Sequence, residues 1–164
     1  MIRPLRFVPI LFAVTAIAFV VSGCGTEKII VPKADAAIGV TAADYNTDVA
    51  AAQLFNQRCG GCHTLSYAGT FGSGQNPRDY LNISGPNFNE RCERPVDRVL
   101  YAIENGGFSG AYMPQNIVVG KQAREVAMFV ARFAGRDAPP EPGVPTCDSQ
   151  SIGTLPALPS ASGN

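Results

Sequence analysis

The stretch Arg58-Cys59-Gly60-Gly61-Cys62-His63-Thr64 constrains this chain more than any other part of it. Cys-x-x-Cys-His sets two thiols three residues apart, on one face of a helical turn, and follows them at once with an imidazole. Each thiol is spaced to add across a haem vinyl group, and the imidazole to bind the iron, which is the pattern of c-type haem attachment. Two other uses of the spacing ask for more. A structural zinc site needs a fourth ligand, and a thioredoxin-like Cys-x-x-Cys needs a βαβ setting. His63 is the only histidine in the chain. Bis-histidine ligation, a second haem of the same kind, histidine-rich metal sites and a Ser-His-Asp triad are therefore excluded.

At 164 residues, 46% of them hydrophobic and none tryptophan, the chain is long enough for one domain with a modest core. Its first 23 residues read as an address. Arg3 and Arg6 precede an apolar run from Phe7 to Val21 that Pro9 interrupts, followed by Val21-Ser22-Gly23-Cys24. Fifteen residues are short for a bilayer span, so a signal peptide is expected, with an uncleaved anchor as the alternative. The tetrapeptide resembles the lipobox of bacterial lipoproteins. That resemblance implies cleavage before Cys24, a diacylglycerol on its sulfur, and a domain held at the extracytoplasmic face of the membrane without a spanning helix. Such a compartment permits disulfides. Lys plus Arg and Asp plus Glu both number 13; without Arg3 and Arg6 the balance is 11 against 13, about −2 before any haem propionates. No basic patch points to nucleic acid.

Residues 24–46 are expected to be a tether, since the sequence from Gly25 to about Ala43 is small, polar and aperiodic. Thr47 offers an N-cap, and Val49, Ala51, Leu54, Phe55 and Cys59 recur at helical spacing, which predicts a first helix running into the Cys-x-x-Cys-His motif. From Thr64 to Ser84, Gly69, Gly72, Gly74 and Pro77 predict a loop along the haem edge, lined by Tyr67, Phe71 and Tyr80. Gly85-Pro86-Asn87-Phe88 follows; either the Pro86 carbonyl accepts the Nδ1–H of His63 and aims its ring, or the segment is an ordinary turn. Pro95 opens a second helix with Val96, Val99, Leu100 and Ile103 on its apolar face, and Asn105-Gly106-Gly107 ends it. Met113, braced by Pro114, suits a rigid ligand loop, with core packing as the alternative. Ala123, Val126, Ala127, Phe129, Val130 and Phe133 stripe a third helix from about Gly120 to Ala134, closed by Gly135. Residues 137–164 hold six of the thirteen prolines and are expected to remain a solvated tail.

The domain at 47–136 resembles the class I c-type cytochromes. The motifs stand in family order: Ala51, Phe55 and Cys59 at four-residue steps in the first helix, Phe129 as partner aromatic in the last, then Gly85-Pro86-Asn87, Asn105-Gly106 and Met113-Pro114 between them. The resemblance implies an all-α fold of about three main helices around one covalently attached haem c. Cys59 and Cys62 are the implied attachment points, His63 and Met113 the iron ligands. The interval from His63 to Gly85 is longer than in the smallest members, and Cys92 and Cys147 have no fixed family role. In an extracytoplasmic protein these two cysteines either bridge, pinning the tail across the domain, or remain free thiols.

Iron held by both His63 and Met113 has no open position, which favours electron transfer over catalysis, and thioether ligation favours the ferrous state. The expected function is that of a lipid-anchored electron carrier serving redox proteins of a respiratory chain. A fixed cytochrome subunit of a respiratory complex, for example of the alternative complex III type, is the second expectation. A haem peroxidase or gas-binding protein, the third, requires Met113 to be absent from the iron.

Overall fold

A computed structural model describes residues 28–72, 74, 85–108, 113–140 and 142–157. The signal segment with Cys24, Tyr80 of the long loop, and the last seven residues lie outside these. Three α-helices carry the architecture: α1 (Tyr45–Arg58), α2 (Val96–Asn105) and α3 (Gly120–Phe133). None is long and apolar enough to cross a membrane. Both α1 and α2 pack on α3. The apolar stripes of α2 and α3 fall where the period of the sequence predicted them: Val96, Val99, Leu100 and Ile103 on α2 and Ala123, Val126, Ala127, Phe129, Val130 and Phe133 on α3 are all buried in one core. On α1 Ala51 and Phe55 are buried as expected, Leu54 and Cys59 only partly and Val49 at an intermediate level, and Ala52 is buried instead. Where α1 meets α3, the rings of Phe55 and Phe129 stand 6.3 Å apart at 57°, and Phe129 continues to Phe133 at 4.9 Å. The same contact buries an ion pair. Arg132 of α3 reaches Asp48, 2% exposed, on α1, with Asp44 at 3.6 Å; burial pushes the Asp48 carboxyl up, and the guanidinium pulls it back.

The fold is the small helical one expected, with a short two-stranded hairpin added to it, so it is not plainly all-α. Strands β1 (Thr64–Leu65) and β2 (Thr70–Phe71) pair antiparallel across a single 3-10 turn, Ser66–Ala68, with Thr64 opposite Phe71 and Leu65 opposite Thr70. The Thr70 hydroxyl accepts from the Leu65 amide at 2.9 Å, closing the hairpin internally. Two-residue strands are too short for alternation to register in the sequence. Tyr67 at the turn packs on Phe133 at 4.7 Å, whereas Phe71 is largely exposed.

Two segments expected to be free are bound to the body. Between residues 28 and 43, Ile29 and Val31 pack against the core, Ile38 and Val40 are buried, and Asp35 and Val40 exchange a pair of backbone hydrogen bonds at 2.9 Å. Helix α1 accordingly begins at Tyr45, two residues before the expected cap at Thr47. In the tail, Ile152 and Leu155 pack against the core and the Ile152 carbonyl accepts from the Val96 amide at 2.8 Å. Arg94 reaches the carbonyls of Cys147 and Gln150, and Arg136 pairs with Asp148. Cys92 and Cys147 are joined by a disulfide, their Cα atoms 5.5 Å apart. Composition alone would leave the proline-rich tail in water; a covalent bond and two arginines hold it down.

Closing a loop of this length restricts the unfolded chain, so Cys92→Ala with Cys147→Ala is expected to lower stability by about 2–4 kcal/mol. A denaturant midpoint measured on the double variant checks the magnitude. Non-reducing peptide mapping checks the pairing, and two alkylatable thiols in the native protein would refute it.

Candidate haem-attachment site

The site begins where α1 ends. Cys59 caps the helix, its amide donating to the Phe55 carbonyl at 2.8 Å, and the chain continues as helical turns: the Cys62 and His63 amides both donate to the Cys59 carbonyl, at 3.0 and 2.9 Å. Cys59, Cys62 and His63 are thereby brought to adjacent points of one turn. Gly60 is required at its place, since a Cβ there would lie 2.6 Å from both the Asn56 carbonyl oxygen and the Thr70 methyl carbon of β2. The hairpin is thus pressed directly against the Cys-x-x-Cys turn. Asn56 of α1 also donates from its side chain to the carbonyls of Ala68 and Gly69, at 2.9 and 3.2 Å, fixing that contact.

The segment Gly85–Phe88 runs beside the motif because the Gly85 amide donates to the Cys62 carbonyl at 2.6 Å and the Phe88 amide to the Thr64 carbonyl at 2.8 Å. Between those two bonds the Pro86 carbonyl lies 3.2 Å from His63 Nδ1. With Nδ1–H donated there, the lone pair is on Nε2. One face of the imidazole is covered by Phe88, stacked at 4.6 Å and 8°. The backbone of Gly85 lies close to the same ring: a Cβ there would come within 2.6 Å of Nε2 and closer still to Nδ1 and Cε1. His63 is 9% exposed, and burial pushes its pKa below the ordinary value, keeping the ring neutral and able to donate a lone pair to a metal. Phe88 had no role assigned from sequence. Its position two residues beyond Pro86 carries no distinguishing signal until the segment is laid along Thr64.

Met113 belongs to the same core from the opposite end of α2. That helix ends at Gly106, and a Cβ on Gly107 would touch Met113 Sδ at 3.7 Å. The loop beyond Met113 is hung on the helix end by the Asn116 amide, which donates to the Ile103 carbonyl at 2.9 Å, and by the Gln115 side chain, which donates to the Asn105 carbonyl at 3.3 Å. Met113 and Cys59 both pack, partly buried, on the core that contains Phe55, Phe88 and Ile103.

Cys59 and Cys62 carry free thiols. Burial, with Cys62 adding to it, pushes the Cys59 thiol up to about 11, the reverse of the lowered value by which a dithiol oxidoreductase activates its nucleophile. The only sheet among the described residues is the antiparallel hairpin, so a βαβ setting is absent there too. Nor do any three His, Cys, Asp or Glu side chains among the described residues converge to hold a metal ion. The Cys-x-x-Cys-His turn offers what a haem would need, two adjacent thiols and one buried imidazole oriented through its Nδ1, while Met113 stands in a braced loop on the same core. Comparison of the chain with family models, with curated proteins and with solved structures gives no match, so the reading rests on this geometry.

Gly85→Ala puts a methyl group into the imidazole. Overpacking of this kind is expected to lower the unfolding midpoint by the equivalent of about 1–3 kcal/mol and to displace His63. Thermal unfolding and the oxidised visible spectrum, which should lose low-spin character, check it together.

Proposed function

We propose that this chain is a monohaem c-type cytochrome of class I type, anchored by lipid on Cys24 at the extracytoplasmic face of a bacterial membrane, and that it passes single electrons between redox proteins of a respiratory chain. The observation that carries the reading is the setting of His63: a buried, neutral imidazole immediately after two free cysteines, its Nδ1 3.2 Å from the Pro86 carbonyl. Haem, when bound, supplies a one-electron couple. The protein's part is to hold and insulate it. Cys59 and Cys62 would hold it covalently, and His63 Nε2 and the Met113 thioether would bind its iron. Donation from Nδ1 to Pro86 makes the imidazole a stronger ligand, and Phe88 restrains the ring against rotation. Phe88, stacked on His63, and Phe55, its ring 6.2 Å away, surround the imidazole with apolar groups, which would disfavour the additional charge of the oxidised state. With His63 and Met113 both committed to the iron, the site would suit electron transfer rather than peroxide or gas chemistry.

The address is tested by Cys24→Ser in a chain carrying an ordinary secretory signal peptide. Acyl chains hold a protein to a bilayer by burying methylene groups at about 0.8 kcal/mol each, whereas the domain's core is its own. The variant is expected in the soluble extracytoplasmic fraction with an unchanged haem spectrum, including a thioether-to-iron band when oxidised, and with slower electron delivery to membrane partners. A variant that stays on the membrane through a high-salt wash is held by a protein partner or a retained signal helix. The fixed-subunit reading would then replace the carrier.

A further inference from the structure

We infer that the anchor and the domain are joined by a tether of about five residue steps rather than nineteen, so that the side of the domain around Tyr67 is kept beside the lipid surface. The inference rests on the reading of Cys24 as the lipidated residue and names the side of the domain that reading leaves open. Its structural basis is the docking of the chain from Ile29 onward. Ile29 and Val31 pack against the core, and between them the Ile30 amide donates to the Tyr67 carbonyl at 3.2 Å. The Asp35 carboxylate accepts from the Ala37 amide at 3.0 Å and so caps the turn Ala36–Ile38, which buries Ile38; Val40 is buried next. Thr41 then donates from its hydroxyl to Asp44 at 2.6 Å, at the start of α1. The chain is thus fastened to the body at intervals from Ile29 to Asp44.

A fully extended chain covers at most about 3.5 Å per residue. Were the chain free to Ala43, the domain could stand about 65 Å from Cys24; docked at Ile29, its limit is about 17 Å. That is about the radius of gyration of a domain of this size, about 13 Å for 100 residues. A domain on the longer leash could swing between partners that project far from the bilayer and turn any face toward them. On the shorter one its docked side stays within about 17 Å of the anchor.

Two measurements on the purified, lipidated haem protein test this. Hydrogen exchange should show the amides of Ile30, Asp35, Ile38 and Val40 slowed by about 100-fold or more relative to unprotected chain. In vesicles carrying a fluorescent headgroup-labelled lipid, haem quenching reports the height of the domain. Inserting twenty Gly/Ser residues before Lys28 should raise the root-mean-square tether span about 2.2-fold if five links become twenty-five, but only about 1.4-fold if nineteen become thirty-nine. A loss of quenching matching the larger ratio supports the inference, and a loss matching the smaller one overturns it. Free exchange at the four amides in a protein that stays on the vesicles overturns the inference alone. Failure of the wild type to stay on vesicles, with the four amides protected, overturns the anchor reading beneath it.

Discussion

Acid-acetone is expected to leave haem on the wild-type chain and to remove essentially all of it from the Cys59→Ser/Cys62→Ser variant. The change is from full retention to none because the two kinds of attachment differ in type: thioether bonds survive denaturation, whereas ligation by His63 and Met113 lasts only as long as the fold that places them. The geometry makes the double variant a clean one. Serine is nearly isosteric with cysteine. The helical hydrogen bonds through the Cys59 carbonyl are made by backbone, so the turn itself should persist. Single variants should keep haem through the remaining thioether. Haem that stays on the double variant after extraction would refute the attachment reading, because Cys92 and Cys147 are paired with each other and Cys24 is the residue read as lipidated.

Met113→Ala is expected to give the second largest effect. Removing the thioether opens one axial position, so the reduced protein should change from not binding carbon monoxide to binding it stoichiometrically, and the thioether-to-iron band should disappear. The potential should fall by a sizeable part of the roughly 0.8 V that axial ligation spans, because a sulfur ligand that favours the reduced state is gone. Folding should be affected less. Met113 is only partly buried, and its loop is held to α2 by the bonds of Asn116 and Gln115 rather than by the methionine side chain. An unchanged spectrum with no carbon monoxide binding would assign Met113 to core packing, the alternative open from sequence. Met128, within α3, is the other methionine of the mature chain, and it packs against the core from its own helix.

The residues of the site could be read from the chain because the chemistry is local. Cys59, Cys62 and His63 lie within five positions, and helical geometry alone brings them to one turn. The three helices were legible for a similar reason: each buries a continuous stripe, and a stripe of that period has one folded counterpart. Pro86 could be nominated because a carbonyl near a ligand histidine is a common arrangement, yet a turn of the same sequence would have served as well. What selected between them is the pair of hydrogen bonds from Gly85 to Cys62 and from Phe88 to Thr64. These contacts span more than twenty residues, and nothing periodic announces them.

The sequence by itself determined the Cys-x-x-Cys-His motif, the single available imidazole, most of the helical stripes and the two cysteines left over for a bridge. Only the tertiary structure decided what becomes of the segments between and beyond them. Ile29, Val31, Ile38 and Val40 are too few and too irregularly spaced to declare an element, and Ile152 and Leu155 sit among prolines that suggest solvent. Each still finds a place on a core already assembled by α1, α2 and α3. Burial against a formed surface needs no periodicity of its own. It depends on neighbours distant in sequence, such as Tyr67 for Ile30 and Val96 for Ile152, and on the arginines and the disulfide that bring the tail within reach. The same dependence hid Phe88, whose function is to face an imidazole twenty-five residues away.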